Sequence, residues 1–219
     1  MHRYLRFILL LLTASPALLQ ADSTAYWAAW GVDVWKGDQF STRTSTENRH
    51  DDDFDLAYFR ITQEFYYKPN AVWTLGVIPT YESVRSAGDW KDIYRVNLEA
   101  SPTFKLSDKL SLKLRNWYEI RRKQDMGSKS YDRFRQQVAF TYAADWLPGL
   151  TSVSCSNEVF YDFNAERINQ DRINPLKLNF KINDRCKTSV FYLYQAQRVG
   201  LSEDWTGTHV IGASTSFNF

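Results

Sequence analysis

Apolar residues recur at every second position along most of this chain, a period that fits strands with two unlike faces and excludes amphipathic helices. Ala57, Phe59, Ile61, Phe65 and Tyr67 alternate with Arg60, Thr62 and Glu64. Leu110, Leu112, Leu114, Tyr118 and Ile120 alternate with Lys113, Arg115, Glu119 and Arg121. Phe134, Val138, Phe140, Tyr142 and Trp146 alternate with Arg133, Arg135, Gln137 and Asp145. Such segments run for roughly 12 to 16 residues, longer than the usual strand of a soluble sheet and suited to a tilted strand that crosses a bilayer.

Turn-forming residues divide the alternation into ten strands, at about 25–36, 54–67, 71–86, 90–104, 109–123, 131–146, 151–164, 170–182, 186–199 and 205–219. Tight turns fall at 68–70, 106–108, 147–149 and 183–185, and more polar connections at 37–53, 125–130 and 201–204. The expected fold is all-β, a transmembrane antiparallel up-and-down barrel, because closure leaves no unpaired edge in hydrocarbon. An even strand number would place both termini on one side. A soluble barrel has the same alternation turned inside out. The organised set of long charged residues on the polar face favours the membrane form. So do two aromatic girdles, Trp35, Trp90 and Trp205 at one rim and Trp73, Trp146, Phe217 and Phe219 at the other.

Before the first strand, Arg3 and Arg6 precede an apolar run from Phe7 to Leu12, with small residues up to Ala21. This is the pattern of a secretory signal over 1–21, leaving 22–219 as the barrel domain. Removing those two arginines from 27 basic residues leaves 25 against 25 acidic ones, a balance that argues against nucleic-acid binding. Only His50 and His209 remain past the signal, neither in a recognisable catalytic motif, so no enzyme, cofactor or metal site is expected. The run Asp51, Asp52, Asp53 with Asp55 lacks the spacing of a calcium loop. Cys155 and Cys186 fall on strands expected to be separated by a third, too far apart to bridge.

The alternation turns a charge cluster toward the lumen: Arg60, Glu64, Arg95, Glu99, Lys113, Arg115, Glu119, Arg133, Arg135 and Glu158, together with Lys91, Arg121, Asp162, Lys177 and Lys181. Charges in a narrow barrel must be paired or hydrated. Two readings stay open. Either ion pairs close the lumen, or a basic constriction passes or binds small anionic solutes.

The last strand ends in Ser216, Phe217, Asn218 and Phe219, which resembles the carboxy-terminal signal that the assembly machinery of outer-membrane barrels recognises. Further segments resemble the DUF2490 family: Leu112 to Arg122 (LKLRNWYEIRR), Tyr131 to Gln137 (YDRFRQQ), Asn157 to Phe163 (NEVFYDF), Arg172 to Ile182 and the closing strand. The resemblance covers roughly residues 90–219. It implies a barrel in the bacterial outer membrane, with membrane lipid, lipopolysaccharide and the assembly machinery as partners, and implies no reaction. The function expected is a narrow porin-like channel or binding barrel for small anions, or a structural barrel with a charge-paired lumen. A surface adhesin acting through 37–53 and an outer-membrane hydrolase are the alternatives.

Overall fold

The alternating segments pair in chain order. A computed structural model describes residues 23–86, 88–124, 131–198 and 204–218. Its strands are β1 (Ser23–Lys36), β2 (Phe40–His50), β3 (Leu56–Tyr67), β4 (Trp73–Ser86), β5 (Asp89–Lys105), β6 (Leu110–Lys123), β7 (Arg133–Ala143), β8 (Leu150–Asp162), β9 (Arg167–Lys181), β10 (Cys186–Arg198) and β11 (Trp205–Asn218). Each pairs antiparallel with the next, and β1 closes the barrel against β11.

Eleven strands among the described residues replace the expected ten. The additional one is β2, which lies inside the segment expected to be a long polar loop at 37–53. Ser41, Thr42, Arg43, Thr44, Ser45, Thr46, Glu47, Asn48, Arg49 and His50 pair on both sides, with β1 and with β3, and Phe40 pairs with Tyr67 of β3. Both faces of this strand are polar, so it shows no apolar alternation. Its three threonines are β-branched and favour extended backbone.

An odd count has a geometric consequence. The first and last strands of an up-and-down sheet then run in the same direction, and β1 pairs parallel with β11 from Ser23↔Thr208 to Asp33↔Asn218. The two ends of the described chain therefore lie at opposite rims, against the expectation of a shared one. We call the rim where β1 starts the N-terminal rim and the rim where β11 finishes the C-terminal rim. Trp35, at the end of β1, joins Trp73 and Trp146 at the C-terminal rim, away from Trp90 and Trp205. The expected signal segment and Phe219 lie outside the described residues.

Three prolines disturb the ladder, Pro102 among them, where the β5–β6 pairing skips from Ala100↔Asn116 to Thr103↔Lys113. Between β3 and β4 the pairing stops at Thr62↔Thr80 and resumes at Phe65↔Val77, around Pro79, which has no N–H to donate. Between β8 and β9, Ser156 faces Asn174 while Ser154 faces Lys177, so β9 holds one extra residue beside Pro175. This bulge reverses the phase, turning both Arg172 and Lys177 inward although one number is even and the other odd.

The faces are sorted by polarity, with the apolar side outward. Val77, Leu98, Ile120, Val138, Leu176, Val190 and Ile211 are exposed on the outer surface. Glu82, Arg95, Glu99, Glu119, Arg135 and Glu158 are buried inside. A small apolar cluster of Trp27, Leu193 and Val210 packs against the inner wall where β1, β10 and β11 meet.

Candidate functional site

The buried charges form one chain of contacts around the lumen wall. Arg95 on β5 pairs with Glu82 on β4 at 2.6 Å and with Glu119 on β6 at 3.3 Å. Glu119 also takes Arg133 at 2.6 Å and Arg135 at 2.8 Å, both from β7. Arg135 continues to Glu158 on β8 at 2.9 Å, and Arg115 reaches the same carboxylate from β6, across β7, at 2.7 Å. These strands position the groups by register: Glu119 faces Arg133 directly, and Glu158 faces Arg172.

Across the barrel, Glu47 on β2 pairs with Arg60 at 2.7 Å and Arg49 at 2.6 Å. The two sides come within electrostatic reach, Arg172 of β9 with Glu47 of β2 and Arg135 of β7 with Arg60 of β3. Aromatic rings fill the remaining space. Phe160 lies under Arg133, Arg135 and Arg172, at 4.5 to 4.8 Å from ring centre to guanidinium carbon. Trp27 is covered by Arg49 at 3.8 Å and Arg172 at 5.0 Å. Glu119 and Phe160 are both 0% exposed.

Nearer the C-terminal rim the wall changes character. Glu99 accepts from Ser101 at 2.6 Å and Trp117 at 2.7 Å, with Lys113 at 3.4 Å. Glu64 accepts from Ser45 at 2.8 Å and Tyr66 at 3.0 Å.

All ten residues of the expected lumen cluster thus take part in inward-facing contacts, and several that belong with them were not foreseen. Glu47 and Arg49 lie on β2, where a loop was expected. Glu82 is next to the disturbed ladder at Pro79, and Arg172 is past the bulge at Pro175. Phe217 lies on β11 opposite Cys186. Cys155 and Cys186 are free. His50 donates through Nδ1 to the Phe54 carbonyl at 3.1 Å within the β2–β3 hairpin, and His209 shares a hydrogen bond with Tyr192 at 2.7 Å on the outer face. The Asp51 to Asp55 run forms that hairpin's tip, with Asp51 Oδ1 accepting from the Asp55 N–H.

Such an array is joined by ion pairs, backed by aromatic rings and withdrawn from water, with Arg95 Nε and Arg115 Nε buried and without a hydrogen-bond partner. Its chemistry is that of a filled wall, since each removed ion would leave its partners uncompensated. A family model described as a protein of unknown function, DUF2490, matches residues 24–204. The chain belongs to this family. The DUF2490 match begins in β1 and runs through β10, so it spans β2 and the whole paired array. No curated protein and no solved structure matches the chain.

Proposed function

We propose that this DUF2490 protein is an outer-membrane barrel whose lumen is closed by its own ion pairs, a structural and binding barrel without a catalytic step. The outer surface supports the membrane part of the reading. Exposed aliphatic side chains such as Val190, at 45%, and Ile211, at 56%, suit lipid and would be costly against water around a whole barrel. Closure of the sheet supports it too, because no strand edge is left for hydrocarbon to strand unpaired.

The observation that carries the closed lumen is Glu119, a carboxylate without exposed surface held by Arg95, Arg133 and Arg135. A water column through this level would wet it. Eleven strands enclose an interior only somewhat wider than the eight-stranded barrels that side chains fill, and far narrower than that of the 16- to 18-stranded porins. The adhesin reading relied on a polar loop over 37–53, of which 40–50 is strand β2.

Fractionation of cells producing the full chain tests the location. The protein is expected in the outer-membrane fraction, with a folded band that shifts on boiling before electrophoresis. Recovery in the soluble periplasm would overturn the proposal.

A further inference from the structure

We infer that the half of the lumen nearer the C-terminal rim binds a small oxyanion, a carboxylate or phosphate group, through Lys177, Arg43 and Arg115; this rests on the closed-lumen reading. Above that level the lumen is filled by long side chains. Below it, inward positions carry Ser152, Ser154 and Ser156 on β8, Gly212 and Ser214 on β11 and Gly31 on β1, placed by the same registers that align the ion pairs. Ser152, Ser154 and Ser156 are partly exposed, as water-lined positions would be. The serines are short and hydroxyl-bearing, while Arg43 lies over Gly31 and the Phe191 ring over Gly212.

The ion pairs of this half leave Lys177 out. Glu99 and Glu64 already accept from Ser101, Trp117, Ser45 and Tyr66. Asp33 has Arg43 at 3.7 Å. Lys177 has no acidic partner among the described residues. Its ammonium lies within electrostatic reach of Arg115 and Arg43, 5.9 Å from the Phe191 ring, on a residue that faces Ser154. Arg115 spends one terminal nitrogen on Glu158, while its buried Nε has no partner. An ammonium outside any ion pair among the described residues thus stands with two guanidinium groups, beside hydroxyls that can donate. Guanidinium and ammonium groups together with hydroxyls suit an oxygen anion. The filled half blocks approach from the N-terminal rim, so the ligand enters from the C-terminal one.

The test uses the full barrel in lipid vesicles with Cys155→Ser and Cys186→Ser, and Ser154→Cys as the reporter. Anionic and cationic methanethiosulfonate reagents of similar size are compared, each normalised to its rate on the urea-unfolded chain. The anionic reagent should label about tenfold faster, as focusing of a positive field in a narrow cleft allows. Inorganic phosphate should slow it, and Lys177→Gln should remove most of the preference. Arg43→Gln serves as a second variant should Lys177→Gln fail to give a heat-shifted folded band. Equal normalised rates, no labelling of the folded barrel, or a preference untouched by both variants would overturn the inference. An open lumen would show separately, as a steady ion current, and would leave the labelling preference to be judged on its own.

Discussion

Arg135 on β7 donates three hydrogen bonds to Glu158 on β8, from Nε at 3.1 Å and from one terminal nitrogen to both carboxylate oxygens at 2.9 and 3.0 Å. The pair is buried, and Arg135 also donates to Glu119 at 2.8 Å. Two ions removed from water hold together only when such geometry offsets several kcal/mol of lost hydration for each.

Removing one partner should therefore cost more than removing both. Glu158→Ala leaves Arg135 and Arg115 facing each other, and should destabilise the barrel by about 3–5 kcal/mol. Replacing Arg135 and Glu158 together with leucine should cost clearly less. Urea titration of the folded band, followed by its heat shift, checks the order of the two.

Strand β2 yields a sharper test, because a loop and a strand answer differently to proline. Thr46 pairs with Trp30 on one side and Ile61 on the other. Thr46→Pro should cost about 3 kcal/mol or more through a lost ladder bond and a steric clash. Tolerance of proline at this position, measured as an unchanged unfolding midpoint, would contradict the eleven-strand closure.

The miss of β2 has a physical cause. Its inner side carries Arg43, Glu47 and Arg49 as other strands do, but its outer side carries Thr42, Thr44, Thr46 and Asn48, so the apolar half of the alternation is missing. Thr44 instead donates to Gln63 of β3 at 2.6 Å, a polar contact that no periodicity reveals. The remaining strands were legible because their outer positions are aliphatic or aromatic. Within them, the inward phase changes at the bulge beside Pro175, while across Pro79 the register is unchanged and Glu82 keeps the inward series of Ile78 and Thr80. Lys177 was placed correctly on one side of Pro175, and Arg172 escaped because the bulge reverses the phase that simple counting assumes. The pairing of Arg115 with Glu158 crosses an intervening strand and follows from shear, which sequence spacing does not carry.

Gly212 is held by contact with a neighbouring ring. A Cβ at this position would overlap the Phe191 side chain of β10, which lies across it. Gly212→Ala should cost about 1–3 kcal/mol, the usual range for overpacking. Combined with Phe191→Ala, the penalties should be less than additive, since one change creates the space that the other needs. Unfolding midpoints of the two single variants and the double variant decide it.

Assembly in cells depends on the closing strand under this account. Phe217→Ala and Phe219→Ala should each lower the yield of heat-shifted barrel in cells while changing refolding in detergent much less. Equal cellular yields would count against a carboxy-terminal assembly signal.

The closed lumen is tested most directly by current through a planar bilayer holding the refolded protein, at about 1 M salt, where screening of surface charge leaves pore geometry in control. The account predicts no steady current from the native chain, and channel-like openings once Glu119→Ala and Glu158→Ala release the arginines they hold. A steady ohmic current from the native protein would contradict it.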